Sequence, residues 1–330
     1  MHHHASILLA VLSLLTATPA NAAASGDPSP YKALAALEAR VAAIGFRLTT
    51  ANAAWCRVQQ PQFGWIWGDP RLYAADRRPA ALAAYGASHR DAPFVAAIAP
   101  TSPAAKAGMR VGAAVIGMQG RGPPEGADAH PFARITAIEK MLAALPPTAP
   151  LVLDTGEIGA LTLMPMAGCI SDFRVEASDR AAAVADGRMV LVHQGLAEFV
   201  RDDDELAAAI AHELAHNILR HRARLDAAGV DRGLGKQFGR SARLFKQTEI
   251  EADRLSVWLL AGADYDPGAA ARFWQTFGQR PGRPMFQAAT HPGWRDRVAS
   301  LQAEAALIAA ARAANQPLHP PLIDAPPPLE

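Results

Sequence analysis

The sequence is poor in net charge, in cysteine and in long apolar runs. Its 330 residues include 32 basic and 31 acidic side chains, so the formal charge is only +1. A protein that binds nucleic acid would show a basic face, and an anionic membrane would attract one, so neither partner is expected. Tandem repeats are also absent. Apolar residues make up 50% of the chain, which is typical of globular proteins, and the length is sufficient for two domains.

An apolar run near the N-terminus is too short to cross a bilayer, and no later stretch is long and apolar enough to do so. The run extends from Ile7 to Leu15 and is followed by the small-residue pattern Ala20-Asn21-Ala22. This order predicts a secretory signal peptide over residues 1–22, although histidines precede the run where Lys or Arg is usual. No cysteine follows that could carry a lipid. We therefore expect an exported protein without a transmembrane anchor, periplasmic or associated with the cell envelope.

Only two cysteines occur, Cys56 and Cys169. In an oxidising compartment such a pair is more often a disulfide than two free thiols, so we expect the bond to form. It would join the two ends of a segment of domain size. Two unrelated buried thiols are the alternative, because the sequence does not show the distance between the alpha carbons.

The pattern of apolar residues divides the chain into segments of different character. Residues 23–60 are predicted to hold a linker and an N-terminal helix over Tyr31 to Gly45. Short apolar runs between turn residues over 61–166 predict a small β-rich module with one clear helix. Helical periodicity dominates over 167–313, and the proline-rich residues 314–330 are expected to be disordered. The predicted fold class is α+β, with a mainly helical domain behind the β-rich module.

Four helices are predicted in the C-terminal region. The first opens with the acidic residues 201–205, which suit the positive end of a helix dipole, and is expected to run to near Gly229. The other three are expected over about residues 242–261, from Asp266 to Gly278, and over about residues 294–313.

The first of these helices contains the residues H-E-L-A-H at positions 212–216. Positions i and i+4 share a helix face, so His212 and His216 can chelate one ion. Glu213 lies beside them and can contact a water at the metal without being a ligand, which is what a hydrolytic zinc site requires. The same motif also occurs by chance on amphipathic helices. Here the flanking residues are apolar, and an unpartnered pair of histidines with a glutamate would be costly in a core.

Downstream residues supply a third ligand and further polar groups. A catalytic zinc usually has three protein ligands, and the next helix carries Glu249, Glu251 and Asp253. Glu249 and Asp253 share a helix face, whereas Glu251 is directed about 200° away from Glu249, so only one of the two glutamates can reach the ion. His291 and Arg297 follow as groups that could face a developing oxyanion.

The order of these motifs resembles the gluzincin zinc metallopeptidases of the HtpX, Oma and CAAX-prenyl-protease type, over about residues 169–310. The resemblance implies one Zn²⁺ per chain, held by His212, His216 and Glu249. It also implies three sets of helper groups: Glu213 as general base, Asp253 as the acceptor that orients a ligand histidine, and His291 and Arg297 as groups that stabilise the tetrahedral intermediate. Because it lacks transmembrane helices, the chain resembles the soluble, exported branch of this family.

The sequence also predicts roles for two further residues near the motifs. If Glu249 is the ligand, Glu251 is expected to face solvent or to form a salt bridge. His221 follows His216 by five positions and lies about 140° off the ligand face of a continuous helix, which favours a structural or orienting role.

The β-rich module resembles a PDZ domain, chiefly over residues 99–112, where a short helix ends in a glycine turn before the next strand. The resemblance implies either capture of extended peptides by strand addition or a structural module packed on the peptidase. The loop that would bind a peptide carboxylate is not clearly recognisable. Residues 62–65 are the nearest candidate.

These observations favour a zinc-dependent metalloendopeptidase of the bacterial cell envelope that hydrolyses misfolded proteins, with the peptide along a strand edge near Met189 to His193. The alternative is a non-proteolytic or latent zinc and PDZ peptide-binding protein, chaperone-like in function, in which His291 occupies the open zinc position. A purely structural zinc protein is disfavoured because closed zinc sites prefer cysteine. The expected partners are protein or peptide substrates and not nucleic acid, while the oligomeric state is left open.

Overall fold

The structure is a computed structural model that describes residues 29–127, 130–230, 238–280 and 289–329. The predicted signal peptide over residues 1–22 lies outside the described residues, as does the first part of the predicted linker. Helices and strands are mixed along the described part of the chain, which confirms the predicted α+β class.

The helices, in chain order, are α1 (Pro30–Ala51), α2 (Arg78–Tyr85), α3 (Pro103–Lys106), α4 (Ala133–Ala143), α5 (Gln194–Phe199), α6 (Asp203–Ile218), α7 (His221–Ala227), α8 (Gly239–Gly262), α9 (Ala269–Gly278), α10 (Trp294–Ala313) and α11 (Pro321–Asp324). The strands are β1 (Gln59–Gln62), β2 (Trp65–Gly68), β3 (Phe94–Ile98), β4 (Val115–Met118), β5 (Leu151–Thr155), β6 (Gly159–Leu163), β7 (Met166–Cys169), β8 (Asp172–Glu176), β9 (Ala183–Ala185) and β10 (Met189–His193). Among the described helices, none combines the length and hydrophobicity needed to cross a membrane.

The N-terminal helix α1 is part of the main hydrophobic core. Its apolar stripe predicts a helix to Gly45, and the structure continues that helix to Ala51. Buried residues of the stripe, including Leu37, Val41 and Ile44, lie in one cluster with the buried faces of α6 and α8. The helix therefore packs on the C-terminal unit, although the β-rich module separates the two in sequence.

The prediction of one continuous helix from residue 201 to near Gly229 is wrong, because α6 and α7 are separate. The chain turns at Arg220, whose φ of 54° lies in the left-handed region, before α7 begins at His221. Apolar residues at helical spacing continue through Leu225, so the break leaves no mark in the hydrophobic pattern. Its consequence is that the direction of the His221 side chain is not fixed by the geometry of α6.

The β-rich module has a hydrophobic core of its own. β2 pairs with β3, β4 to β6 form a second antiparallel sheet, and both sheets share one buried cluster with α4. β1 and β7 pair with each other from Gln59 to Cys169, so the paired strands extend slightly beyond residues 61–166 on both sides. The described residues between Gln59 and Cys169 thus contain a small β-rich unit.

The loop at residues 62–65, the nearest candidate for binding a peptide carboxylate, is mostly buried. Gln62 donates from Nε2 to the carbonyl oxygen of Cys169 at 2.9 Å, and Phe63 lies in the core of the module. Gly64 approaches Ser102 so closely that a β-carbon there would lie 2.3 Å from the serine Cβ. Because the loop packs against the protein's own chain, it favours a structural role for the module over peptide capture at this loop.

Ion pairs withdrawn from water join the module to the larger unit. Arg174 of β8 binds the carboxylate of Glu139 in α4 and donates to Thr136 Oγ1 at 2.8 Å. Arg188 binds Asp172 and donates to the backbone carbonyl of Glu139 at 2.8 Å. Removing one partner of such a pair leaves a buried charge uncompensated, so the contacts hold the two units in a defined arrangement.

The proline-rich C-terminal residues are folded onto the protein over 314–329, and the expectation of disorder is wrong there. They contain α11, Leu322 is buried in the main core, and Arg57 donates to the carbonyl oxygen of Asp324 at 2.8 Å. Proline-rich composition predicts disorder because proline supplies no backbone N–H. In this segment backbone carbonyls accept from side chains of the folded unit, so the missing donors are not needed.

The predicted disulfide between Cys56 and Cys169 is confirmed. The alpha carbons are 5.3 Å apart, and the bond closes a loop with a sequence separation of 113 residues. That loop contains the whole β-rich module. The bond therefore ties both ends of the module to the same point of the main core, in which both cysteines are buried.

Replacing both cysteines by alanine is expected to lower the free energy of unfolding by roughly 2–5 kcal/mol, because the unfolded chain gains the freedom of a long open loop. Urea unfolding of the parent protein with its disulfide intact, and of the variant under the same conditions, would measure the difference. A reductant should lower the midpoint of the parent protein and leave that of the variant unchanged. Equal midpoints for the oxidised parent and the variant would contradict the assigned role of the bond.

Candidate metal centre

Three side chains from two helices converge at one point. His212 and His216 stand one turn apart on α6, and Glu249 reaches them from α8. The Nε2 atoms of the two histidines are 3.2 Å apart, and they lie 3.3 Å and 3.5 Å from the two carboxylate oxygens of Glu249. The structure thus brings together the three residues that the resemblance assigns to the zinc.

The packing of α6 against α8 produces this convergence. α6 begins after Asp202, whose carboxylate accepts from the backbone N–H of Glu205 at 2.8 Å, and its acidic first turn suits the helix dipole. Ile210 and Leu214 on its apolar face are fully buried. Rotating the helix would expose that face, so burial of these side chains fixes the direction of the two histidines.

The donor set fits zinc. With zinc–nitrogen distances of about 2.0–2.1 Å, neighbouring ligand atoms of a tetrahedral site are roughly 3.3 Å apart. The two Nε2 atoms are 3.2 Å apart, and each lies 3.3–3.5 Å from one oxygen of Glu249, Oε2 for His212 and Oε1 for His216. Two imidazoles and one carboxylate are also a set typical of catalytic zinc, which keeps a fourth position open.

Asp253 stands behind the first ligand histidine. Its Oδ1 lies 3.0 Å from Nδ1 of His212, on the side of the ring that faces away from Glu249. Arg297 binds the same carboxylate with two nitrogens, at 2.6 and 2.7 Å, and its guanidinium lies 3.2 Å above the ring of Trp274. This is the arrangement that holds a ligand imidazole in one orientation.

Arg297 therefore has a different environment from the one its expected role requires. It borders the cavity, but two of its nitrogens are engaged by Asp253, and its Nη2 is 3.7 Å from Glu249. In the structure Arg297 contacts the carboxylates of Asp253 and Glu249, so it positions these two groups. A role toward a reacting oxygen stays a prediction.

His221 stands behind the second ligand histidine. Its Nδ1 lies 2.8 Å from Nδ1 of His216, and its Nε2 lies 3.1 Å from Glu251. Glu251 is 3% exposed and pairs with Arg224 at 2.5 Å, so of its two expected roles the salt bridge is the observed one. The break at Arg220 lets His221 reach this position, and it orients His216 as Asp253 orients His212.

The electrostatics of the ligands follow from burial and from these neighbours. Burial holds the pKa of His216 well below its ordinary value, so the ring is neutral, as a metal ligand must be. Burial also acts to lower the pKa of His212, but Asp253 and Glu249 outweigh it and raise that pKa to about 10. Burial acts to raise the pKa of Glu249, and the neighbouring histidines hold it well below its usual range. In the metal-free protein a proton on His212 thus balances the charge of Glu249, and binding of a metal would release that proton.

Glu213 borders a cavity of about 630 Å³ that opens beside the three ligands. Burial, to which the charge of Glu249 adds, raises the pKa of Glu213 to about 7. The backbone of Ala185 partly offsets this rise in the pKa. A carboxylate with a pKa near neutrality can both accept and return a proton.

His291 lies on the solvent side of the centre. Its Nε2 is 3.7 Å from Glu249, its Nδ1 is 2.9 Å from Thr290 Oγ1, and its side chain is 40% exposed. The structure thus brings His291 to the same cavity as Glu213, near the ligands but not in their cluster. Its expected action on a reacting oxygen stays a prediction.

The strand edge beside the centre belongs to β9 and not to the segment that sequence reasoning favoured. In the three-stranded sheet the order is β8, β10, β9, so Met189–His193 is the central strand. β9 stands at the edge and lines the cavity with Ala183, Val184 and Ala185. The family resemblance implies a strand over this segment, and β10 is one, but sheet order depends on pairing between distant segments, which a local motif does not contain.

The residues that build the centre lie in a segment with known relatives. Residues 172–234 and 232–305 match the model of Peptidase family M48. The match supports a metallopeptidase of the M48 zincin type. The chain is 29% identical over 143 residues to the mitochondrial metalloendopeptidase OMA1 of Schizosaccharomyces pombe, covering 37% of this chain and 42% of that protein. It is 30% identical over 129 residues to the OMA1 of Arabidopsis thaliana, covering 33% of this chain and 26% of that protein. The chain thus aligns with less than half the length of the curated relatives it matches.

Three residues of the centre escape the sequence motifs: Arg224, Gln247 and Trp274. Arg224 follows His221 by three positions, and Gln247 precedes Glu251 by four. Each therefore shares a helix face with one of the two residues behind His216. Helical spacing could have found both. Trp274 carries no such signal, because it reaches Arg297 from α9 through tertiary packing alone.

Replacing Asp253 by asparagine is expected to weaken zinc binding about 10–100-fold, because His212 loses the charged partner that orients it. The change also leaves Arg297 buried without its counter-charge, so the free energy of unfolding should fall by about 3 kcal/mol. Chelator competition would measure the zinc affinity, and urea unfolding the stability.

Asp264→Asn is a matched control. This residue is exposed and has a φ of 55°, which asparagine also tolerates. The control should change neither zinc affinity nor stability. An Asp253→Asn protein with the parent's zinc affinity would contradict the orienting role of Asp253.

Proposed function

We propose that the protein is a zinc-dependent metalloendopeptidase that hydrolyses peptide bonds with Glu213 as general base. The observation that carries the proposal is the position of Glu213, which borders an open cavity immediately beside a cluster of His212, His216 and Glu249. A structural metal site is closed by protein ligands, whereas this one has a further carboxylate and a large open cavity beside it.

The residues of the cavity have separate roles in peptide hydrolysis. When bound, zinc supplies Lewis acidity and makes water a nucleophile at neutral pH. Glu213 accepts the proton of the attacking water and then passes it to the nitrogen of the leaving amine. His291 would donate to the oxyanion from the solvent side, while Arg297 keeps Asp253 and hence His212 in place.

A substrate peptide is proposed to bind along β9 in an extended conformation. The backbone of Ala183–Ala185 stands at the sheet edge and borders the cavity, so it can pair with an added strand. The same cavity is also lined by the aromatic side chains Phe273, Trp274 and Phe277 of α9. Such a wall favours apolar side chains next to the cleaved bond, which unfolded proteins expose.

The proposal extends to the location of the enzyme, to its substrates and to the function of the β-rich module. The predicted signal peptide over residues 1–22 and the disulfide Cys56–Cys169 support an exported enzyme of the periplasm or cell envelope. Misfolded envelope proteins are the proposed substrates, in a quality-control role. The β-rich module is proposed to be PDZ-like in fold, and the burial of residues 62–65 favours a structural role for it over the capture of peptide C-termini.

A latent or non-proteolytic binding protein is the second candidate. It is favoured by the position of His291, whose Nε2 lies 3.7 Å from Glu249 and could compete with water for the open ligand position. In this case the protein would bind zinc and peptides without cleaving them.

Glu213→Gln is expected to lower the rate of casein cleavage by about 10²–10⁴-fold, because the amide cannot accept the proton of water. Zinc content should remain at one ion per chain, since Glu213 is not a ligand. The measurements are cleavage of a fluorescent casein and metal analysis of the same preparation.

The exposed Glu198→Gln serves as the matched control and should leave the rate unchanged. A chelator should abolish cleavage by the parent protein, and added zinc should restore it. If the parent protein binds zinc but cleaves no substrate, and His291→Ala produces cleavage, the latent form is correct. Cleavage by the purified Glu213→Gln protein at the parental rate would contradict the role of Glu213 as general base.

A further inference from the structure

The C-terminal segment over residues 326–329 runs beside the polar residues that surround the metal ligands. The carbonyl oxygen of Pro327 accepts from Arg224 Nη2 at 2.6 Å, and that of Pro328 accepts from Gln247 Nε2 at 2.8 Å. The same two side chains hold Glu251, at 2.5 Å from Arg224 Nη1 and 3.0 Å from Gln247 Nε2. The tail therefore bonds to both groups that hold this buried carboxylate.

From Glu251 the contacts continue to a metal ligand. Glu251 lies 3.1 Å from Nε2 of His221, and Nδ1 of His221 lies 2.8 Å from Nδ1 of His216. Since Nε2 of His216 faces the other ligands, its Nδ1 carries the proton and donates to His221. His221 then carries its own proton on Nε2 and donates it to Glu251. One direction of donation satisfies every atom of this chain of hydrogen bonds.

The segment is held on both sides of these contacts. On the N-terminal side, Leu322 is buried in the main core and Arg57 donates to the carbonyl oxygen of Asp324. On the C-terminal side, Leu329 packs against the small cluster of Leu225, Val230 and Leu244. The carbonyls of residues 327 and 328 are thereby fixed between two apolar anchors, beside α7 and the N-terminal part of α8.

We propose that residues 326–329 form a strap that stiffens the metal centre by holding Arg224 and Gln247 against Glu251, which fixes His221 and through it the ring of His216. The proposal rests on the proposed function only in taking His216 as a zinc ligand. Arg224 and Gln247 are long, half-buried side chains, so without the strap each would lose an acceptor and sample more rotamers. The carboxylate would then hold His221 less firmly, and ligands that are poorly oriented bind metal more weakly.

The test compares the full chain with a chain that ends at Ala325, which keeps α11 and Leu322. Zinc affinity is measured by chelator competition, and the geometry of the site by the visible spectrum of the Co²⁺-substituted protein. We expect the zinc dissociation constant of the shortened chain to rise about tenfold, with an altered Co²⁺ spectrum. Far-ultraviolet circular dichroism should show that its helices are retained.

Point variants test the same contacts in the full chain. His221→Ala should raise the zinc dissociation constant about 10–100-fold. His221→Gln should recover much of the loss, because an amide can accept from His216 and donate to Glu251. Gln247→Ala should repeat the effect of the shortened chain. Arg240→Ala, which removes another arginine bonded to a backbone carbonyl, that of Ala228, should have no effect.

The proposal is overturned if both the shortened chain and Gln247→Ala bind zinc with the parental affinity and the parental Co²⁺ spectrum. It is also overturned if His221→Gln is as weak as His221→Ala, since the hydrogen-bonding order would then be irrelevant. Failure of the full chain to bind zinc would instead refute the proposed function, so the two failures are distinguishable. If the shortened chain does not fold, Gln247→Ala decides, and the parental zinc affinity and Co²⁺ spectrum in that variant overturn the proposal.

Discussion

The two histidines of α6 face the carboxylates of α8 in a largely buried space beside the open cavity, and the rest of the molecule is arranged around that contact. His212 lies between Glu249 and Asp253, and His216 lies between Glu249 and His221. Charges and polar rings in such a space are stable only if each has a partner. The requirement for partners explains why a second layer of polar residues surrounds the three ligands.

That second layer has two branches, and each connects the ligands to a distant part of the chain. On one side Asp253 is held by Arg297, which begins the last long helix, α10. On the other side Glu251 is held by Arg224 and, through it, contacts the C-terminal segment. Both branches end behind a ligand histidine at Nδ1, so the orientation of the metal ligands depends on residues that lie far apart in sequence.

The remaining elements keep these parts together. α1 fills the groove of the main core beside α6, and the disulfide Cys56–Cys169 joins the ends of the β-rich module to that core. The pair Arg174–Glu139 and the hydrogen bond from Arg188 to the backbone carbonyl of Glu139 hold the module at a second place. These long-range contacts limit how far the helices that carry the ligands can move relative to one another.

Much of the site could be predicted from the sequence because its strongest signals are local. The spacing of His212 and His216 follows from the helix repeat, and a second helix with Glu249 is enough to propose a third ligand. Only the tertiary structure decided the sheet edge at β9, the folded tail and the role of His221, which depends on the break at Arg220. Hydrophobic periodicity shows which face of an element is buried, but not which element covers it. The H-E-L-A-H helix therefore predicted the metal, whereas the packing of α8, α10 and the C-terminus determined how its ligands are held.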